Sequence, residues 1–394
     1  MKIAGIIAEY NPFHCGHRYQ VDCLREQGVT HIVAVMSSNV VQRGELSVFS
    51  KWARTKAALG NGVDLVVELP ALWANASAER FAQAGVSLLH SMGCVDVLGF
   101  GSECGDLSLL CQTATACRDA GVDRQLRQNL SRGMPYHAAR QRAVESRFGK
   151  KVSRVLSQPN DILAVEYLKA LKLLSSRMEP LLVQRRGVEH DGEETTGFFA
   201  SASALRKWLG NGELFQIQPF VPASAWNVYR DEWERGCAPA LLQRVETAFL
   251  YRLRSMNPEE FALLPDVSEG LEYRLAEAAR TAQSLEEFFA SAKTKRYAHS
   301  RLRRIAMAAM LGITAEDFML RPEYLRVLGL NRRGEEILHR VKACGSLPLK
   351  SSFATLVKTS RVAQIEEAAT ELFSLSLPHI PLGKMDRWQE IVKQ

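Results

Sequence analysis

The sequence predicts an α/β fold in which a parallel sheet is covered by helices on both faces, followed by a mainly α-helical C-terminal region. Two observations carry this prediction. Over the first hundred residues, strands that are apolar almost throughout alternate with helical patterns, which is typical of parallel sheets buried on both sides. Beyond residue 220 the spacing of apolar residues is helical nearly throughout.

The first part of the chain carries the predicted sheet. The expected strands are residues 3–8, 31–36, 64–69 and 95–100, and the helices between them are residues 16–27, 50–59 and 77–91. Right-handed crossovers place the carboxyl ends of such strands along one edge, where ligands bind. The loops after the first, second and fourth strands are therefore predicted to meet at one rim.

The rest of the chain is predicted to be mostly helical. Residues 106–176 are largely helical, and a further strand is expected at 180–183. Later helices are expected at residues 162–174, 240–254, 271–292 and 300–311. Another is expected to begin at a cap, either Ser201 or Ser203, and to end at residue 209. Because 394 residues exceed what one core usually serves, we expect two domains, 1–220 and 221–394, with a linker at 219–222.

Composition is ordinary for a globular protein, with 46% hydrophobic and 24% charged residues. No stretch approaches the roughly 20 apolar residues of a membrane-spanning helix. The short apolar run at residues 3–8 is broken by Glu9, unlike a signal peptide. The eight cysteines include no Cys-x-x-Cys pair and fit no usual zinc spacing. We therefore expect a cytoplasmic protein with reduced thiols and no metal-ligating cluster.

The most informative motif is His14-x-Gly16-His17, where the first strand passes into the first helix. Gly16 lets the backbone approach a phosphate without a Cβ in the way, and a helix N-terminus favours anions. Two imidazoles three positions apart can donate hydrogen bonds to phosphate oxygens as charge builds in a transition state. The alternative is a tight turn with two incidental histidines. The order of strand, turn and helix favours ATP handling, with attack at the α-phosphate and release of pyrophosphate.

A second motif is Ser201-Ala-Ser203-Ala-Leu205-Arg206. Hydroxyls and amides at a helix N-terminus bind phosphate oxygens, and an arginine one turn further on offers a planar fork of donors. Alone, the motif is as readily an N-capped helix with a surface arginine. The two histidines upstream favour phosphate contact.

Other candidates are ambiguous from the residues alone. Gly101-Ser102-Glu103 fits either close approach to a nucleotide or a strand-to-helix turn, and Asn160-Asp161 fits a helix cap. Arg185 and Arg186 either hold a nucleotide or face solvent. Several residues near the second-strand loop either assist an anionic substrate or form a solvated face: Gln42-Arg43-Gly44-Glu45, Lys51, Arg54 and Lys56.

Together these motifs resemble the bacterial tRNA(Met) cytidine acetate ligase family, in the HxGH nucleotidyltransferase-like superfamily with its Rossmann domain. The resemblance covers nearly the whole chain. Its carriers are residues 8–17, 42–45, 100–106, 158–161, 200–203, 266–270, 293–297 and 299–304. The first motif alone is typical of the superfamily, and the C-terminal motifs narrow the resemblance to this family.

The resemblance implies a two-step reaction. Acetate attacks the α-phosphate of ATP to give acetyl-adenylate and pyrophosphate. The exocyclic amine of the wobble cytidine of elongator tRNA(Met) then takes the acetyl group, leaving AMP and N4-acetylcytidine. Contact with ATP is implied for Ile7, Ala8, Glu9, Tyr10, Asn11, Pro12, Phe13, His14, Cys15, Gly16, His17, Arg18, Tyr19, Gln20, Gly101, Asn160 and either Arg185 or Arg186.

Catalysis of the first step needs positioning and charge stabilisation, because acetate is already an anion. His14, His17 and Arg206, with Ser203 beside them, are the residues expected to stabilise the α-phosphate and the departing pyrophosphate. Mg²⁺ bridging the phosphates is expected. The sequence singles out neither a protein ligand for Mg²⁺ nor a base for the cytidine amine.

The net charge of +7 is concentrated near the C-terminus, because residues 293–342 hold twelve Lys/Arg against five Asp/Glu. Charges in such a segment would track RNA phosphates, and an aromatic would stack on an unpaired base. The alternative is an amphipathic helix with solvated arginines. RNA contact is expected at Lys293, Lys295, Arg296, Tyr297, Arg301, Arg303 and Arg304, helped by Arg326, Arg332 and Arg333.

Two other functions stay open at this point. A small-molecule nucleotidyltransferase would join AMP or CMP to a phosphorylated metabolite, but it leaves the ~170 residues of the basic, helical region without a role. A non-catalytic RNA-binding protein with a relic nucleotide fold is disfavoured, because both histidines, Gly16 and the serine-arginine motif are present.

Overall fold

The computed structural model describes residues 1–185, 200–268, 270–295, 297–350 and 352–394. An eight-stranded sheet forms its centre, and a two-stranded hairpin lies apart from it. The strands are β1 (Ile3–Ala8), β2 (His31–Ser37), β3 (Val40–Val41), β4 (Glu45–Leu46), β5 (Leu65–Leu69), β6 (Val97–Ser102), β7 (Glu179–Gln184), β8 (Leu325–Leu330), β9 (Leu349–Lys350) and β10 (Val392–Lys393). The order in the sheet is β10-β8-β5-β2-β1-β6-β7, with β9 beside β8, and β3 pairs with β4.

Helices cover both faces of the sheet. In chain order they are α1 (Cys15–Glu26), α2 (Lys51–Leu59), α3 (Ala71–Ala74), α4 (Ala78–Ser91), α5 (Leu107–Ala116), α6 (Ala120–Ser131), α7 (Tyr136–Arg154), α8 (Pro159–Leu173), α9 (Ala202–Gly210), α10 (Ala223–Glu234), α11 (Glu246–Ser255), α12 (Pro258–Ala262), α13 (Leu271–Thr281), α14 (Leu285–Ala292), α15 (His299–Leu311), α16 (Arg332–Cys344), α17 (Phe353–Leu356), α18 (Arg361–Leu375) and α19 (Met385–Trp388). No helix within the described ranges is long and apolar enough to cross a bilayer, and the eight cysteines are free thiols.

The elements predicted for the first hundred residues are confirmed, with ends that move by at most two residues. β2 and β5 are buried from end to end, which is why their apolar pattern is continuous. β1 pairs in parallel with β2 and β6, and β2 pairs in parallel with β5. The predicted α/β fold with a mainly parallel sheet is therefore confirmed.

The C-terminal region contributes three strands, β8, β9 and β10, that the sequence analysis did not predict. β8 pairs antiparallel with β5, and β10 pairs in parallel with β8. The pattern of β8 is short and apolar, so it is readily taken for part of a helix, yet all six residues are buried. The division into domains at residue 220 stays a prediction, but the sheet itself continues across that boundary.

Two predicted helices are divided in the structure. Residues 240–254 form a 3₁₀ turn, Leu242–Val245, followed by α11. Residues 271–292 form α13 and α14, because Ser284 caps a new helix by accepting a hydrogen bond from the Glu287 backbone N–H.

A buried ionic cluster joins the C-terminal strands to the first part of the sheet. Lys51 Nζ on α2 lies 2.6 Å from carboxylate oxygens of Glu68 and Asp386 and 2.7 Å from Glu366. Arg326 on β8 lies 3.2 Å from Glu68 and 2.6 Å from Asp386. All five side chains are buried, so three carboxylates share two cations out of contact with water.

Lys51 and Arg54 were each predicted either to assist an anionic substrate or to lie on a solvated face, and both alternatives are wrong because the two side chains are buried. Arg54 donates to the backbone carbonyls of Glu9 at 2.5 Å and Ser37 at 3.0 Å, and also to that of Ser38. Burial lowers the pKa of Arg54 to about 10. Its guanidinium therefore joins the carboxyl ends of β1 and β2.

The ionic cluster predicts a distinctive pH dependence of stability. Burial, with the Glu68 carboxylate nearby, raises the pKa of Glu366 to about 8. A carboxyl whose pKa is higher in the folded than in the unfolded chain binds more protons when folded, so the free energy of unfolding falls as pH rises between the two pKa values. We expect urea unfolding to give a lower free energy of unfolding at about pH 8 than at about pH 6, and the difference to shrink in Glu366→Gln.

The control for this prediction is Glu367→Gln, because Glu367 is the next residue on α18 and pairs with Arg387 outside the cluster. That variant should keep the pH dependence of the wild type. An unchanged pH dependence in Glu366→Gln would contradict the assignment of the raised pKa to this carboxyl.

Candidate active site

The loop between β1 and α1 places the two histidines of the first motif against each other. His14 is the N-cap of α1, and its Nδ1 accepts a hydrogen bond from the Gly16 backbone N–H at 3.0 Å. Nδ1 of His17 accepts from the His14 backbone N–H at 3.2 Å, and the ring centroids are 3.8 Å apart. Because Nδ1 is an acceptor in both rings, each neutral ring carries its proton on Nε2.

His17 is held in an aromatic environment. Its ring lies 4.9 Å from that of Tyr10 and 5.5 Å from that of Phe13, measured between centroids. Burial lowers the pKa of His17 well below its ordinary value, and the nearby His14 ring and Arg185 guanidinium lower it further. At neutral pH His17 is therefore a neutral hydrogen-bond donor through Nε2, and it is not an imidazolium that could act as a general acid.

Two distant residues fix the backbone of this loop. The hydroxyl of Tyr229 on α10 accepts from the Phe13 backbone N–H at 2.8 Å, and the ring of Tyr229 stacks on Phe49 with centroids 4.2 Å apart. Asn11 Oδ1 accepts from the Val48 backbone N–H at 2.8 Å. Sequence reasoning did not find Tyr229, because it lies 216 residues beyond Phe13 and no local pattern connects them.

The serine-arginine motif reaches the same loop. Ser201 is the N-cap of α9 and accepts from the Ala204 backbone N–H at 3.1 Å. Arg206 donates from Nη1 to the carbonyl oxygen of Asn11 at 3.1 Å and from Nη2 to Ser203 Oγ at 3.2 Å. The structure thus brings Ser203 and Arg206 next to the residues that lead into His14-x-Gly16-His17.

A second group of predicted residues surrounds the carboxylate of Glu103, which follows β6. Asn160 Nδ2 and the Asp161 backbone N–H, in the first turn of α8, donate to this carboxylate, the latter at 3.1 Å. Arg185 Nε lies 3.6 Å from Glu103 Oε1. A Cβ on Gly101 would lie 3.2 Å from Cγ of Arg185, so Gly101 is in close contact with the arginine side chain.

The other residues predicted to contact ATP lie along one continuous segment. Ile7 and Ala8 end β1, residues 9–14 form the loop, and residues 15–20 begin α1. Arg185 is near enough to lower the pKa of His17. Arg186 lies outside the described residues.

The basic segment at the start of α15 is largely paired within the protein. Arg301 donates to the Asp266 carbonyl oxygen at 2.5 and 2.8 Å and covers the ring of Tyr297 at 4.9 Å. Arg304 pairs with the Asp266 carboxylate at 3.0 Å. Tyr297 is buried, so its ring does not offer a free face to an unpaired base in this structure. RNA contact at Tyr297 stays a prediction. Arg326 is buried in the ionic cluster and does not add to the basic surface.

The remaining residues of that segment have different surroundings. Lys293 and Lys295, just beyond α14, are exposed. Arg303 pairs with the carboxylate of Glu45, on β4. Arg296 lies outside the part of the chain that the structure describes.

Mg²⁺ has no set of three protein ligands beside the histidine loop, as far as the described residues show. Among the described residues, the one group of three carboxylates close enough to share a cation is Glu68, Glu366 and Asp386. Lys51 and Arg326 already occupy the space between these carboxyls and pair with them. The residues present therefore do not fit a protein-held Mg²⁺ site.

A family model described as HIGH Nucleotidyl Transferase matches residues 1–385. The chain belongs to that family. A protein named tRNA(Met) cytidine acetate ligase from Acetivibrio thermocellus is 36% identical over 95% of this chain and 94% of its own length. One of the same name from Caldanaerobacter subterraneus subsp. tengcongensis is 35% identical over the full length of both chains. The resemblance that the motifs indicated is therefore confirmed.

Two solved structures have the same fold. The apo form of Thermotoga maritima TmcAL superposes with a TM-score of 0.94 at 29% identity, covering 100% of this chain and 99% of that chain. The form bound with alpha-thio ATP gives a TM-score of 0.91 at 28% identity, with the same coverage. A fold of this family therefore extends over the whole chain.

The contact between Tyr229 and the loop predicts a specific defect. Tyr229→Phe removes the acceptor of the Phe13 backbone N–H and leaves a buried donor unpaired, which costs roughly 1–3 kcal/mol. We expect urea unfolding to show that loss and isothermal calorimetry to show weaker ATP binding, because the loop that carries His14 is less firmly held. Tyr251→Phe is the control, because Tyr251 is exposed. ATP affinity equal to that of the control would contradict the assigned role of Tyr229.

Proposed function

We propose that the protein is an ATP-dependent ligase that activates acetate as acetyl-adenylate and transfers the acetyl group to the wobble cytidine of elongator tRNA(Met), forming N4-acetylcytidine in the cytoplasm. The observation that carries the proposal is the meeting of His14, His17 and Arg206 at the loop that opens α1. The names of the relatives and the neighbour bound with alpha-thio ATP support it.

In the first step, an oxygen of acetate attacks the α-phosphorus of ATP, the bond to the bridging oxygen of the β-phosphate breaks, and pyrophosphate leaves. The Nε2–H groups of His14 and His17 donate to phosphate oxygens as negative charge builds on them. The positive end of the α1 dipole acts in the same sense. Arg206 neutralises the departing pyrophosphate. Acetate needs no base, because it is an anion at neutral pH.

A neutral His17 suits this task. Because its pKa lies well below the ordinary value, its donor is present throughout the neutral pH range and does not depend on protonation. Gly101, Asn160 and Arg185 would hold the rest of the nucleotide, since they lie together where the ends of β6 and β7 meet the first turn of α8. Mg²⁺ would arrive bound to the phosphates of ATP.

In the second step, the N4 amine of the cytidine attacks the acetyl carbon, the bond between that carbon and the phosphate oxygen breaks, and AMP leaves while the nitrogen loses a proton. The RNA would lie along cations at the protein surface. Lys293 and Lys295 are exposed close to α15, and Arg332 and Arg333 are exposed at the start of α16. Such contacts make affinity fall with salt.

The reaction is tested by incubating the full chain with ATP, Mg²⁺, labelled acetate and bulk bacterial tRNA, then digesting the RNA and analysing nucleosides by mass spectrometry. A parallel sample contains unlabelled acetate and labelled acetyl-CoA. We expect labelled N4-acetylcytidine from acetate, with release of AMP, and none from acetyl-CoA. Label from acetyl-CoA alone, or ATP cleavage only when a phosphorylated metabolite is added, would contradict the proposal.

The catalytic role of His17 is tested with a pair of histidine variants. His17→Ala should lower the rate of acetylation by about 100-fold or more, because a preorganised donor to the transition state is lost. His90→Ala is the control, since His90 is exposed at the end of α4, and it should keep the wild-type rate. Equal rates in the two variants would contradict the catalytic role of His17.

A further inference from the structure

The hairpin of β3 and β4 connects the histidine loop to the basic helix α15. In its turn, the Gln42 backbone N–H donates to Glu9 Oε1 at 2.9 Å. Gly44 has a φ of 73° and lies against α15, where a Cβ would collide with the backbone N of Arg304. Asn75 holds the same turn of α15 by donating to the Arg304 carbonyl oxygen at 3.0 Å.

Glu45 follows this turn, and its carboxylate is shared by two arginines. Oε1 is paired with Nη1 of Arg303 on α15, and Oε2 lies 4.0 Å from Nε of Arg206 on α9. The other two nitrogens of Arg206 donate to the Asn11 carbonyl and to Ser203. The side chain of Glu45 is only 24% exposed, so its charge is weakly screened by solvent. One anion thus lies between an arginine of the candidate active site and an arginine of the basic helix.

We propose that Glu45 is a positioning residue through which RNA and the phosphates of ATP bind antagonistically. The inference rests on the proposed function, because it takes RNA as the partner of Arg303 and the nucleotide phosphates as the partner of Arg206.

The coupling is antagonistic because Arg303 and Arg206 share the one carboxylate of Glu45. When an RNA phosphate pairs with Arg303, Glu45 loses its nearer cation and Arg206 becomes its remaining partner. The pair between Glu45 and Arg206 then shortens, and Arg206 is drawn away from the phosphates. In the other direction, a triphosphate that holds Arg206 leaves Glu45 paired with Arg303, which competes with RNA. Linkage requires the two effects on affinity to be equal.

This antagonism would act at a defined stage of the reaction. After the first step, Arg206 holds pyrophosphate while acetyl-adenylate waits for the cytidine. Arrival of RNA at Arg303 would weaken the hold on pyrophosphate and favour its release. Glu45 would therefore favour RNA acetylation over reversal of the first step.

The test is the dissociation constant of ATP with Mg²⁺, measured by calorimetry with and without saturating tRNA(Met) transcript and without acetate. In the wild type, the tRNA should raise the dissociation constant of ATP by about 5-fold or more, a typical size for coupled sites. In Glu45→Gln the factor should fall below about 2-fold. Glu367→Gln, which removes a carboxylate paired with Arg387 elsewhere, should keep the wild-type factor.

A second variant tests the link from Arg303 through Glu45 to Arg206 without RNA. Arg303→Ala should weaken ATP binding in the wild-type background, because Glu45 then has Arg206 alone, and should leave ATP binding unchanged in the Glu45→Gln background. The proposal would be overturned if tRNA raised the dissociation constant of ATP by the same factor in the wild type and in Glu45→Gln. It would also be overturned if tRNA did not change the ATP affinity of the wild type. Antagonism without acetyl transfer would count against the ligase chemistry alone, and acetyl transfer without antagonism would count against Glu45 alone.

Discussion

The buried cluster of Lys51, Glu68, Glu366, Asp386 and Arg326 is the interaction on which the rest of the structure depends. It joins α2 and β5, from the first seventy residues, to β8, α18 and α19 near the end of the chain. Removing either cation from such a buried group leaves an uncompensated carboxylate, at a cost of about 3–5 kcal/mol. The extension of the sheet beyond β5 and the position of α2 are therefore coupled.

The position of α2 in turn sets the geometry of the candidate site. Arg54 lies one turn beyond Lys51, and its guanidinium binds the backbone carbonyls at the ends of β1 and β2. The loop that leads to His14 leaves β1 at that point. Tyr229 also holds this loop, by accepting a hydrogen bond from the Phe13 backbone N–H. The buried charge cluster thus supports, through one helix, the strand end from which the histidine loop begins.

The parts of this architecture that depend on local patterns could be predicted from the sequence. The histidine motif is local, because capping by His14 and the return contact from His17 need only a spacing of three residues. The strands of the first hundred residues were predictable for the same reason, since burial on both faces makes each of them apolar. The family resemblance rests on motifs of this local kind.

What could not be predicted depends on partners distant in the sequence. Lys51 and Arg326 are charged, and a charged residue indicates solvent unless its buried carboxylates are known. Tyr297 lies between basic residues, yet Arg301 covers its ring. The pairing of Glu45 with Arg303 joins residues 258 positions apart, and neither residue alone indicates it.

In the proposed reaction, the histidine loop and Arg206 activate acetate with ATP before any RNA is involved. The most direct measurement is exchange of labelled pyrophosphate into ATP by the full chain, with Mg²⁺ and without tRNA, as a function of acetate. We expect exchange that requires acetate, because formation of acetyl-adenylate is reversible. Exchange that is independent of acetate, or that appears only with a phosphorylated metabolite, would contradict it.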